Sequence, residues 1–228
     1  MLPEASVKAH AVIFDMDGVL FDTERLCASV WSECSRVAGY AISDEVFRMC
    51  VGRNDADTRE LLRETLGSEF PYDTFKERVR LEMKSVMEAN GPPPKKGAAA
   101  LLQYLSDNQI PAALATSTSE ETARWMIDKA GFSRFFSAYA FGSEVSKGKP
   151  DPEIFILARN RLQIKDSSSC IVFEDSPAGI RASHTAGMNT VFVPDMVIPE
   201  RDVLELVWKQ IPDLEYALYS DFFTIPSV

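Results

Sequence analysis

No stretch of this 228-residue chain runs for about 18 apolar residues without interruption, so nothing in it reads as a membrane-spanning helix. Cysteine is sparse. Cys27, Cys34, Cys50 and Cys170 form no CxxC pair and show no scaffold spacing, which fits free thiols in a reducing cytoplasm. Positive charge is also short: 24 Lys and Arg against 34 Asp and Glu leave a formal charge of -10. That balance disfavours general nucleic-acid binding, which needs a basic surface. It also requires that an anionic substrate be met by a local positive site of metal, lysine or helix N-termini. The opening MLPEASVKAH lacks a basic segment followed by an apolar one, so no secretory leader is expected there. Repeats and low-complexity tracts are missing, apart from GPPPKKG at 91–97. What is present, 46% apolar and 25% charged residues, is ordinary for a soluble globular protein. The length suffices for one large domain, or one with a smaller companion.

Residues 11–24 read AVIFDMDGVLFDTE. Ala11, Val12, Ile13 and Phe14 show no polar alternation, which predicts a strand buried on both faces, as in a parallel sheet. Asp15, Asp17 and Asp22 then crowd its exit, a costly arrangement unless something compensates the charge. A plain turn is the other reading, because Asp and Gly are common turn formers.

From 24 to 90 the pattern is helical. In ERLCASVWSECSRVAGY, the positions Cys27, Val30, Trp31, Cys34, Val37 and Ala38 recur at helical spacing, and Gly39 is a stop. Asp22 and Thr23 are placed to cap this helix, Asp57 to cap TRELLRETLG, and Asp73 to cap TFKERVRLEMKSVMEAN. GPPP ends the pattern, since proline cannot continue a helix. Four amphipathic segments without a strand predict a small helical bundle inserted after the first strand. Beyond 97, strand and helix alternate: AAALLQYLSDN, PAALATS, a helix behind Ser119, AYAFG, a helix from Pro152, CIVFEDS, a helix with Pro177 at N1 and Gly187 at its end, and TVFVP as the last strand. Such alternation predicts an α/β fold with a Rossmann-like parallel sheet and helices on both faces. The expected domains are 1–22 with 93–228 as the core, and 23–92 as the inserted bundle.

Ligands of open α/β sheets bind at the carboxyl ends of the strands. The exits here carry Asp15 and Asp17, Thr116 and Ser117, and Glu174 and Asp175, with Lys149 in the loop before PDPE. Singly, each has a structural reading: ATS as an ST-turn or cap, KGKPDP as a solvated loop, FEDS as a capped helix start. Together they suit phosphoryl transfer. Carboxylates are hard oxygen ligands that Mg²⁺ prefers, and acidic side chains gathered at one point repel without a cation. Asp15, Asp17, Glu174 and Asp175 are the candidate metal ligands. Asp15 is the candidate nucleophile, forming an aspartyl-phosphate. Asp17 leaves the same side of an extended chain and is the candidate general acid/base. Lys149 supplies positive charge and Thr116 a hydroxyl to the phosphate, with Ser117 beside it, while Gly18 lets the backbone turn and approach.

DMDGV at 15–19, TS at 116–117, KGKPDP at 147–152 and FEDS at 173–176, in that order, resemble the haloacid dehalogenase superfamily. The branch most resembled is that of beta-phosphoglucomutases and small-metabolite phosphatases with a helical cap. The resemblance implies Asp15 as nucleophile, Asp17 as acid/base, Thr116 and Lys149 on phosphate, and Asp175 with Glu174 on Mg²⁺. An Asp at 17 implies phosphoryl transfer rather than dehalogenation. Specificity comes from the cap in this family, and here the chain departs from the mutases. They carry a His four residues after the Thr of DT and an Arg three residues after the cap-loop Gly, where this chain has Cys27 and Asp55. Arg53, next to Gly52, is a candidate for the second phosphate or a surface arginine. Hydrolysis needs only one phosphate site, so the implied activity is a phosphatase of a sugar phosphate or a nucleoside or nucleotide phosphate, with a phosphomutase of the beta-phosphoglucomutase type as the alternative. VFVPD at 191–195 resembles pseudouridine- and sugar-phosphate phosphatases. The expected partner is a small phosphorylated metabolite, bound by a cytoplasmic monomer without nucleic acid or membrane.

Other conspicuous residues have plainer roles. His10 and His184 belong to no motif, and Trp31, Trp125 and Trp208 are expected to pack from helices. PPPKK reads as a hinge strand or linker, and the aromatic tail YALYSDFFTIPSV as a cover for the core or a contact surface. A phospho-accepting receiver domain would be near half this length and have no helical insert. An EF-hand loop needs Gly at its sixth position and Glu at its twelfth, and DMDG is followed by neither. An inert binding module would not need every polar role filled.

Overall fold

The computed structural model describes residues 9–51, 53, 55–220 and 222–223. Strand β1 (Ala11–Phe14) precedes four helices, α1 (Thr23–Val37), α2 (Asp44–Cys50), α3 (Asp55–Leu66) and α4 (Tyr72–Asn90). There follow α5 (Ala98–Asp107), β2 (Ala112–Thr116), α6 (Glu120–Lys129), β3 (Phe136–Phe141), α7 (Glu153–Arg161) and β4 (Cys170–Glu174). The last elements are α8 (Pro177–Thr185), β5 (Asn189–Phe192), α9 (Arg201–Leu204) and β6 (Lys209–Gln210). Two compact units result: Met1–Phe21 with Pro94–Val228, and Asp22–Pro93.

In the α/β unit the six strands are parallel, in the order β3-β2-β1-β4-β5-β6. AVIF, AALAT and CIVFE are buried at every residue, as unbroken apolar runs require when both faces of a sheet are covered. On one face Ile13, Ala113, Ala115 and Val172 pack with Ile154, Phe155 and Ala158 of α7 and Ala182 of α8. On the other, Phe14 stacks on Phe173 at 5.1 Å and meets Phe136 edge-on at 6.2 Å. Each fully buried Ile or Phe side chain stabilises the fold by about 1.5–3 kcal/mol.

The strand order positions the site. The chain steps outward from β1 to β2 and β3, then crosses back to lay β4 on the other side of β1. That reversal is the switch point at which such a sheet opens a crevice beyond its carboxyl ends. Backbone bonds fix the exits there: Asp15 N–H donates to the Phe173 carbonyl at 3.0 Å, and Val193 N–H to the Glu174 carbonyl at 2.8 Å. Ser176 caps α8 by accepting from Gly179 N–H at 3.0 Å, with Pro177 in the first turn. Ser119 caps α6 in the same way, through Thr122 N–H.

The helical unit is organised around Trp31, which meets Phe47 and Phe75 edge-on at 5.1 and 5.3 Å. Leu62, Phe70 and Val79 are buried with them, so α1 to α4 share an apolar interior. The capping expectations need correction. Asp22 holds the N-cap position of α1 without a side-chain cap bond; its carboxylate takes Arg25 instead. Asp57 and Asp73 fall inside the first turns of α3 and α4, where a carboxylate favours the positive end of the helix without capping it.

Two further corrections concern the C-terminal region. TVFVP is not the last strand, because Lys209–Gln210 adds β6 beside β5. Trp208 precedes that strand and lies on no helix; it packs on Phe222 at 5.3 Å. Phe222 and Phe223 are buried, and Phe223 approaches Tyr104 at 5.9 Å, so this part of the tail covers the core. Residues 221 and 224–228 of that tail, residues 1–8, Gly52 and Asn54 lie outside the described residues.

Candidate active site

Asp15 leaves β1 and Glu174 ends β4, so register alone sets them side by side across the switch point. Lys149 lies between them. Its Nζ donates to Asp15 Oδ1 at 2.5 Å and to Glu174 Oε1 at 2.7 Å, with a longer third bond to the Ala115 carbonyl at 3.4 Å. The ammonium also sits 4.8 Å from the Phe155 ring centroid. Only 7% of the Lys149 side chain is accessible, and none of Glu174. Desolvation opposes the lysine charge, but the Asp15 and Glu174 carboxylates outweigh it and hold its pKa above the ordinary lysine value.

Glu174 is held through both oxygens, and Oε1 accepts from Lys149. Its Oε2 accepts from the backbone N–H groups of Asp175 and Ser176 at 2.8 Å each and from the Ser176 hydroxyl at 3.0 Å. A buried carboxylate is tolerated only with such partners. Asp15 is less well compensated. Burial raises its pKa, Lys149 draws it back down, and Glu174 and Asp17 raise it again, which together leave it at about 7. A further cation beside these carboxylates would favour the charged form of Asp15.

The donor set suits such a cation. Carboxylate oxygens of Asp15, Glu174 and Asp175 lie within 4.8 Å of one another, an all-oxygen group of the kind Mg²⁺ prefers. Asp17 does not join this group; its Oδ2 accepts from the Thr118 hydroxyl at 2.7 Å. Gly18 turns the chain after Asp17 with φ +79°, and a Cβ there would lie 2.2 Å from Asp175 Oδ2. Glycine is needed on both counts, conformation and close approach. Thr116 is buried and its Oγ1 accepts from Thr118 N–H at 3.1 Å, which uses a lone pair and leaves the O–H proton to donate. Ser117 is exposed beside it.

The family model of haloacid dehalogenase-like hydrolases matches residues 12–193, the span that contains every one of these groups. The chain belongs to that family. Among haloacid dehalogenase-like relatives, it is 33% identical over 186 residues to a phosphorylated carbohydrates phosphatase of Thermotoga maritima, covering 80% of this chain and 84% of that one. Hexitol phosphatase A of Escherichia coli is 30% identical over 187 residues, covering 82% and 84%. The crystal structure of a HAD family hydrolase from Deinococcus radiodurans, with bound phosphate and sodium, superposes with a TM-score of 0.81 at 23% identity, covering 97% of this chain and all of that one (100%). It shares the fold.

The departures from the mutase pattern have a structural counterpart in the helical unit. Burial, then Glu24, pushes the Cys27 thiol up to about 11; a cysteine carries no positive charge in either state, so it offers no cation to a phosphate. Asp55 accepts from the Tyr72 hydroxyl at 2.9 Å and pairs with Lys76, ties internal to the bundle. Arg53 is exposed and donates through Nε to the Met49 carbonyl at 2.6 Å.

Three features of the site escaped the sequence reading. Thr118 was hidden in TSTSEE, where Ser and Thr read as helix-cap material. Gly179 looks like an ordinary helix glycine, yet a Cβ on it would lie 1.6 Å from Glu174 Oε1. The Asp of VFVPD, Asp195, pairs with Lys95 of PPPKK at 2.8 Å with 0% and 12% of their side chains accessible. That pair ties the segment entering α5 to the exit of β5, and Lys95 N–H also donates to the Leu20 carbonyl at 2.8 Å.

Proposed function

We propose that this chain is a Mg²⁺-dependent phosphatase that hydrolyses a small phosphomonoester, a sugar phosphate or nucleoside phosphate, through an aspartyl-phosphate on Asp15. The observation that carries this reading is the Lys149 ammonium, 2.5 Å from Asp15 and 2.7 Å from Glu174, beside an all-oxygen carboxylate group at the switch point. The names of the phosphatases it resembles support the substrate class. Asp15, Glu174 and Asp175 would hold the ion, which when bound supplies charge neutralisation and polarises the phosphoryl group.

Asp15 attacks phosphorus as the bond to the ester oxygen breaks; that oxygen keeps the electron pair and takes a proton from Asp17. A water then gives a proton to Asp17 and attacks the aspartyl-phosphate, releasing inorganic phosphate and the Asp15 carboxylate. Lys149 exchanges its weakest bond, the 3.4 Å contact with Ala115, for a phosphate oxygen. Thr116 donates its hydroxyl to the same group, and Gly18 and Ser117 contribute by close backbone approach. We assign 1–22 with 93–228 as the catalytic core and 23–92 as the cap that selects the substrate; the compact division after Phe21 and before Pro94 supports these bounds. Four free cysteines support a reducing cytoplasmic setting, and a charge of -10 supports a small anionic partner drawn in by a local positive site rather than nucleic acid.

Phosphate release across a panel of sugar phosphates, nucleotides and pseudouridine phosphate, with Mg²⁺ and with EDTA, tests this. Metal-dependent release from a few members is expected. No release from any of them would overturn the reading.

A further inference from the structure

We propose that Thr118 is a positioning residue for the general acid/base: its hydroxyl fixes the Asp17 carboxylate so that the opposite oxygen faces the ester. This rests on the reading of Asp17 given above and extends it to a residue outside the four motifs.

The hydrogen bond from Thr118 Oγ1 to Asp17 Oδ2, 2.7 Å, joins the exits of β2 and β1 across 101 residues of sequence. Its donor stands on a constrained segment. Thr116 pairs with Phe141 in the β2–β3 ladder, and its Oγ1 holds Thr118 N–H at 3.1 Å. Gly142 backs onto Ser117 so closely that a Cβ would lie 2.7 Å from the Ser117 carbonyl oxygen. One residue on, Ser119 caps α6. The Thr118 backbone is thus held between a turn and a helix start, which fixes the point from which its hydroxyl reaches Asp17.

An acid works only if its proton faces the atom that needs it. An unrestrained carboxyl can turn about its terminal bond and present either oxygen. A hydroxyl donating to Oδ2 occupies that oxygen as an acceptor and places the transferable proton on Oδ1. In the first step Oδ1–H breaks and its proton goes to the leaving oxygen; in the second, water returns a proton to Oδ1. Thr118 exchanges nothing with substrate. Thr116 Oγ1 holds the Thr118 backbone N–H and the Thr118 hydroxyl holds Asp17, which links phosphate binding to acid placement.

The test uses Thr118→Val, which removes the hydroxyl at constant shape, with Thr118→Ser and Asp17→Asn beside it. Single-turnover cleavage is measured on two probes: an alkyl phosphomonoester from the panel that the wild type cleaves, and p-nitrophenyl phosphate. The alkyl alkoxide needs a proton to leave, whereas p-nitrophenolate leaves without one. Thr118→Val is expected to slow alkyl cleavage about tenfold or more, a share of what a well-placed acid contributes. Its KM and p-nitrophenolate release stay close to wild type, and Thr118→Ser restores the rate. Equal losses on both probes, or no loss on either, would overturn the inference even where Asp17→Asn is inactive. Alkyl cleavage by Asp17→Asn at the wild-type rate overturns the assignment of Asp17 itself and the inference with it.

Discussion

Replacing Gly179 with alanine sets two opposed effects against each other. Gly179 lies in α8 with φ outside the left-handed region, so alanine suits its backbone and should favour the helix by about 1 kcal/mol. The new Cβ, however, would lie 1.6 Å from Glu174 Oε1, 1.9 Å from its Cδ and 2.5 Å from Oε2. A surface glutamate would swing aside. Glu174 is fully buried, and moving it breaks the bond to Lys149 and those from Asp175, Ser176 and the Ser176 hydroxyl. Disrupting a buried ion pair costs about 3–5 kcal/mol. The balance is a loss of about 2–4 kcal/mol, which lowers the midpoint by about 4–16 °C in a chain of this size. Scanning calorimetry and urea titration read it directly. A Glu174→Ala background isolates the cause: with the carboxylate gone, Gly179→Ala should be neutral or stabilising by up to about 1 kcal/mol. Gly179→Ala as stable as wild type, or equally harmful in both backgrounds, would refute the packing argument.

Lys149→Met leaves the Asp15 and Glu174 carboxylates facing each other without their shared cation, so a loss of about 3–5 kcal/mol in urea titration and loss of phosphate release are expected. Ser176→Ala removes the α8 cap and one donor to Glu174 but no charge; a smaller loss, about 1–2 kcal/mol, should appear in the same titration.

The parallel sheet was legible because AVIF, AALAT and CIVFE lack alternation, and only strands buried on both faces look like that. The site was legible because its charged groups stand at strand exits, where an apolar run stops abruptly. What was not legible depended on contacts distant in sequence. β6 is two residues long and exists only through β5. Asp57 and Asp73 look like caps in the sequence because an acidic residue reads the same at the N-cap and in the first turn; only backbone angles separate them. Thr118 acquires its role from Asp17, 101 residues away, and Gly179 from the carboxylate of Glu174.

The central claim, an aspartyl-phosphate on Asp15, is open to direct capture. The enzyme is mixed with Mg²⁺ and a substrate from the panel, quenched in acid within one turnover, digested, and its peptides weighed. One phosphoryl group on the peptide carrying Asp15, missing from Asp15→Asn and from the EDTA control, is the predicted result. Turnover by Asp15→Asn at the wild-type rate, or a phosphoryl group on a peptide without Asp15, would contradict it.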